Sequence, residues 1–108
     1  KISIICLAGY MRILSKNFLK NYNGKIINIH PSLLPKYKGL NTFSRVLRSK
    51  DKSTGCTVHY VNERLDSGKT ILQKKVFISP KDNEETLKIK VQKKEHRAFS
   101  EAIFRIYN

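Results

Sequence analysis

Long apolar runs are missing from this 108-residue chain. None approaches the roughly 20 residues that a membrane-spanning helix needs, so the sequence does not read as a transmembrane protein. Acidic residues are scarce, with 8 Asp and Glu against 22 Lys and Arg. Cysteine is scarcer still. Cys6 and Cys56 stand far apart and form no CxxC pair, which excludes the usual thiol metal or dithiol redox spacing. Buried free thiols in a reducing cytoplasm are expected instead. Internal repeats and low-complexity tracts are also absent. The most basic stretch, "KIKVQKKEHR" over 88–97, has no interleaved aromatic on which bases could stack. A solvated helix face is therefore preferred there over a nucleic-acid patch.

What is present fits one soluble globular domain over residues 1–108. The chain is 40% hydrophobic and 28% charged, too apolar for a disordered segment. Its length allows a modest single core. The net charge of +14 has three competing explanations: a polyanionic partner, an anionic substrate, or a Lys-, Asn- and Ile-rich compositional bias. The basic residues are spread along the chain, which favours compositional bias and leaves room for substrate steering. The opening "KISIICLAGYM" has no small-residue cleavage site in a flexible segment, so a strand is expected rather than a secretory leader. It starts without Met and runs straight into apolar residues, from which a start inside a larger protein is expected.

Strands are predicted over 2–7, 25–29, 55–61 and 70–78, from β-branched and apolar content bounded by Gly, Asn and Asp. A short helix over 16–22 is predicted between Ser15 and Asn23-Gly24. Another, capped by Asn41 or Thr42, runs to about Lys50 with Phe43, Val46 and Leu47 as its apolar stripe. The last segment is ambiguous at its start, because "LKIKV" alternates like a strand. Leu87, Val91, Ala98, Ala102 and Ile106 nevertheless fall near one helical face, so one long helix over 84–107 is predicted, opened by "NEET". The order β-α-β-loop-α-β-β-α implies a layered α/β fold, with a mostly parallel sheet and flanking helices.

Chemistry concentrates in "NIHPSLLPKYKGL", residues 28–40. In an extended segment, Asn28 and His30 point the same way. An Asn amide can donate a hydrogen bond to a developing oxyanion. A His can carry a proton near neutral pH. Pro31 confines His30 to extended backbone shapes, and Pro35 stiffens the loop. "LDSG" offers Asp66 on a loop between two strands, a carboxylate that could orient an imidazole and favour its cation. Each residue has a plainer reading as a turn or loop residue. His59 reads as a packed structural histidine, and His96 as a solvated one.

The pieces "LAGYMRILS", "NIHPSLLPKYKGL", "GCTVHYV", "LDSGKTILQKKV" and "VQKKEH", in this order, resemble the glycinamide ribonucleotide formyltransferases of purine biosynthesis. The resemblance covers nearly the whole chain. Methionyl-tRNA formyltransferases share an SLLP loop followed by a different stretch, and formyltetrahydrofolate deformylases tend to carry a second His where Pro31 stands here. The resemblance implies a Rossmann-like formyltransferase fold without its N-terminal βα units, where the family holds the substrate's phosphate. It implies transfer of the formyl group of 10-formyltetrahydrofolate to the amine of glycinamide ribonucleotide, with no metal. Asn28 would polarise the formyl oxygen, His30 would shuttle the proton, and Asp66 would orient His30 and raise its pKa. Met11, Arg12, Ile13 and Leu14 would line the folate site together with Asn28, and Gln92 and Glu95 would hold the ribonucleotide's amine. Small-molecule substrates, no nucleic acid, no membrane, a cytoplasmic setting and a homodimer as one open assembly complete the expectation. The alternatives are a related formyltransferase or deformylase, or a non-catalytic basic binding fragment.

Overall fold

The computed structural model describes residues 4–8, 25–61 and 68–107. The elements in chain order are β1 (Ile4–Ala8), β2 (Lys25–His30), α1 (Thr42–Ser49), β3 (Ser53–Tyr60), β4 (Thr70–Phe77) and α2 (Glu84–Tyr107). The four strands form one sheet in the order β1-β2-β3-β4. The expected helix over 16–22 lies outside the described residues.

The α/β layering holds, but the sheet is mixed rather than mostly parallel among the described strands. β1 and β2 run parallel; β2–β3 and β3–β4 are antiparallel. β3 ends at Tyr60 and β4 starts at Thr70, and so few intervening residues can only reverse the chain, because a parallel return needs a longer crossover. β2 also reaches one residue farther than expected, so Asn28 and His30 are both strand residues.

Strand alternation sorts the sheet into two faces. Ile27 and Ile29 of β2, Cys56 and Val58 of β3, and Leu72 and Val76 of β4 share one face, and all are buried. Against it lies α2, which buries Leu87, Val91, Ala98 and Ala102 completely. That stripe at helical spacing resolves the "LKIKV" ambiguity, because only a helix places these four side chains on one side. The start of α2 is fixed by a reciprocal cap. Asn83 Oδ1 accepts from the Thr86 amide at 2.9 Å, and Thr86 Oγ1 accepts from the Asn83 amide at 2.9 Å. Asp82 anchors the same turn through the Ser79 amide, Thr86 Oγ1 and Lys90 Nζ.

α1 begins differently from expectation. Asn41 precedes it in a left-handed conformation, φ 58°, and makes no side-chain capping bond. Its carbonyl accepts from the Arg45 amide and from Ser44 Oγ. Val46 is buried in the core, with Phe43 and Leu47 packed beside it, as the apolar stripe predicted.

Candidate active site

The second face of the sheet is polar and equally buried. Asn28 faces His59 across β2–β3, and His30 faces Thr57. Directly opposed residues in an antiparallel pair share a face, and so do residues two apart along a strand. Asn28, His30, Thr57 and His59 therefore form one cluster. All four are at most 5% exposed, so each must be satisfied by hydrogen bonds within the protein.

The segment after His30 folds back over this face. The Thr57 hydroxyl donates to Ser32 O at 2.7 Å and accepts from the Leu34 amide at 3.0 Å and from Gln73 Nε2 at 2.9 Å. Gln73 Nε2 also reaches Leu34 O, at 2.9 Å. One threonine thus ties the "PSLLP" loop to β3 and β4, using its hydroxyl as donor and twice as acceptor. Gly55 makes room chiefly for β4 and also for that loop: a Cβ there would stand 1.9 Å from Lys74 O and 2.9 Å from Leu33 Cδ2. Farther along, Ser32 Oγ donates to Lys36 O, and the Leu34–Pro35 peptide is cis.

The imidazole of His30 is completely buried, with Nε2 lying 2.7 Å from Tyr37 O. A carbonyl oxygen can only accept, so Nε2 carries a proton and donates it. His59 is held the other way round, with Nδ1 donating to Tyr60 O at 2.9 Å. Pro31, immediately after His30, lines a cleft of about 540 Å³ with Gly39–Ser44 and with Glu84, Glu85 and Lys88 of α2.

Of the residues expected to act in ligand binding or catalysis, the structure brings Asn28 and His30 together on one face at the carboxyl end of β2. Glu95 stands in the inward stripe of α2, half-buried, and burial raises its pKa. Its charge is felt by Cys56, whose thiol is pushed up to about 11, chiefly by its own burial. Cys56 lies next to Thr57, at the level where β2 ends, so Glu95 flanks that strand end from the helix side. Gln92 is exposed on the same helix. Asp66, Met11, Arg12, Ile13 and Leu14 lie outside the described residues. Gly68, the last residue of "LDSG", has a Cβ position only 1.6 Å from Tyr60 O, so nothing larger than glycine fits there.

Sequence reasoning missed the part played by Thr57; His59, read as a packed structural residue, is buried and hydrogen-bonded as expected, on the face that carries Asn28 and His30. The signal was there: "TVH" at 57–59 repeats the polar-apolar-polar pattern of "NIH" at 28–30. The basic stretch over 88–97 holds one surprise. Lys90, Lys93, Lys94 and Arg97 share a groove with Lys75 and the exposed ring of Phe77, an aromatic supplied by β4. Among the described residues, no three His, Cys, Asp or Glu side chains gather as metal ligands, and no helix is long and apolar enough to cross a membrane.

The family model "Formyl transferase" matches residues 1–103. The chain belongs to that family. It is 47% identical over 98 residues to phosphoribosylglycinamide formyltransferase of Haemophilus influenzae, covering 91% of this chain and 46% of that protein. It is 45% identical over 108 residues to the trifunctional purine biosynthetic protein adenosine-3 of Drosophila melanogaster, covering 100% of this chain and 8% of that protein. The crystal structure of phosphoribosylglycinamide formyltransferase from Bacillus halodurans superposes with a TM-score of 0.89 at 43% identity, covering 95% of this chain and 53% of that one. This chain thus spans about half the length of the single-function relatives and a small part of the trifunctional ones.

Proposed function

We propose that this chain is the catalytic portion of a phosphoribosylglycinamide formyltransferase, which moves the formyl group of 10-formyltetrahydrofolate onto the amine of glycinamide ribonucleotide. The observation that carries this reading is the buried Asn28–His30 pair at the end of β2, beside the cleft bordered by Pro31. It is supported by relatives at 45–47% identity that bear this name or contain this activity's pathway in theirs.

The chemistry follows from the residue types. The substrate amine attacks the formyl carbon, and a C–N bond forms as the carbonyl electrons move to oxygen. The Asn28 amide donates to that oxyanion. His30 accepts the proton that the attacking nitrogen must lose and delivers one to the departing folate nitrogen. The bond from carbon to the folate nitrogen then breaks. Asp66 would hold the histidine cation between these two transfers. Met11–Leu14 would bind the folate, with Gln92 and Glu95 receiving the amine from the helix side. A carboxyl such as Glu95, with its pKa raised by burial, gains from a nearby ammonium, which compensates the desolvated charge.

The test is formyl transfer from 10-formyltetrahydrofolate to glycinamide ribonucleotide, measured with the whole protein and with this 108-residue piece. Transfer by the whole protein supports the reading. Its absence, with formylation of another acceptor or release of formate instead, would assign the fold to a related formyltransferase or to a deformylase.

A further inference from the structure

Over residues 84–97, α2 sorts its charges about its buried stripe. At about 100° of turn per residue, Leu87, Val91, Ala98 and Ala102 fall within about 60° of one another. Glu84, Glu85 and Lys88, which line the cleft beside Pro31, fall on one flank of that stripe with Gln92 and Glu95. Lys90, Lys93, Lys94 and Arg97 fall on the other. A general excess of lysine would not by itself put three acids on one flank and four cations on the opposite one. Glu101, farther along the basic flank, is bonded to Lys74 and does not line the groove there.

The basic flank is one wall of an open groove of about 600 Å³, and β4, the last strand in the sheet order, is the other. β4 contributes Lys75 and Phe77. The Phe77 ring is 74% exposed, and the Lys75 ammonium stands 6.0 Å from its centre. Lys90 is already paired, with Asp82 at 2.6 Å. Lys75, Lys93, Lys94 and Arg97 have no acidic partner among the described residues, and no described acid lines the groove. Four like charges held together repel, and a chain of negative charge laid between them relieves that repulsion. The aromatic that the stretch 88–97 lacks in sequence is thus brought to it by the fold.

We propose that the groove between α2 and β4 binds single-stranded nucleic acid, with phosphates on Lys75, Lys93, Lys94 and Arg97 and one base stacked on Phe77. A basic groove beside an exposed aromatic is the arrangement such strands use. A duplex keeps its bases stacked on one another and would leave the ring idle. An acidic peptide would match the cations, but a ligand that alternates negative charge with flat rings matches both the cations and Phe77. The groove lies across α2 from the cleft beside Pro31, so this binding does not depend on formyl transfer.

The test is fluorescence anisotropy of the whole protein with a labelled single-stranded RNA of about 12 nucleotides. Its affinity should fall with salt, with a log–log slope of about −2 to −3, because each neutralised phosphate of a single strand contributes about −0.7. The double variant Lys93→Gln/Lys94→Gln should make that slope shallower by about 1.4. Phe77→Ala should weaken RNA binding about 5- to 150-fold at an unchanged slope, and should leave binding of inorganic polyphosphate as it was. Lys50→Gln/Lys52→Gln, which removes two exposed cations elsewhere, should leave RNA binding nearly intact. No binding at about 0.1 M salt would overturn the proposal. So would an equal loss in the Lys50/Lys52 variant, which would show diffuse charge, or an inert Phe77→Ala, which would show a site for any polyanion. Tighter binding of poly-glutamate than of RNA would assign the groove to an acidic protein segment instead.

Discussion

The two faces of the β2–β3 pair are built from alternating residues of the same two strands and are both buried, yet they do different work. On the helix side, Ile27, Ile29, Cys56 and Val58 meet the apolar stripe of α2. On the other side lie Asn28, His30, Thr57 and His59, with His30 and Thr57 bonded to the segment that follows His30. An apolar face gains stability from area alone, about 25 cal/mol for each Å² removed from water. A buried polar face gains little net stability even when every group is paired, and loses much when one partner is removed. Stability therefore resides on one side of the sheet and the candidate chemistry on the other, with a single backbone separating them.

Substitutions can break this division. The largest effects are expected from His30→Ala on the polar face and from Asp66→Ala, which in the whole protein should each lower turnover about 100- to 10,000-fold while leaving folate binding largely intact. Undiminished turnover in either variant would remove that residue from the mechanism. On the apolar face, Leu87→Ala should cost about 2–5 kcal/mol in denaturant unfolding, because the side chain is completely buried. Its activity per folded molecule should hardly change; a kcat loss comparable to that of His30→Ala would show that the two faces are not independent.

Thr57→Val sharpens the comparison, since it keeps the shape and removes three hydrogen bonds under the loop. A loss of about 1–3 kcal/mol is expected, accompanied by a fall in turnover that Leu87→Ala does not show. A smaller effect concerns acid. The Asp82 carboxyl is held below its ordinary 3.8, first by Lys90 and next by the Ser79 amide. A depressed carboxyl contributes stability that is present above the unfolded value and lost as pH falls through the folded one. Thermal melts taken from about pH 6 down to about pH 2 should therefore show a smaller acid loss in Asp82→Asn than in the unaltered chain. The smallest expected change is at Cys56, whose thiol at about 11 should stay protonated and slow to alkylate at neutral pH. Rapid labelling of the folded protein would mean that the apolar face opens far more readily than its packing implies.

Much of this was legible in the sequence, element by element. β4 was expected over 70–78 and spans Thr70–Phe77; the long helix was expected over 84–107 and spans Glu84–Tyr107. Periodicity carries that much because one residue's neighbours in a helix or strand are set by its own chain. The Asn28–His30 pair was legible for the same reason, as two residues on one strand. The folate and Asp66 assignments rest on resemblance and fall on residues outside those described.

The sequence alone determined which of the described segments are strands and helices, and which short motif carries the candidate chemistry, because both depend on contacts a few residues long. Tertiary structure decided the rest. Pairing direction depends on where the chain returns, so the mixed sheet could not be read from composition. Thr57 became a clamp because three groups, from Ser32, Leu34 and Gln73, converge on its hydroxyl. The proton of His30 was placed by a carbonyl seven residues away, that of Tyr37. Such arrangements depend on directional hydrogen bonds between distant residues, and these have no period that a sequence can display.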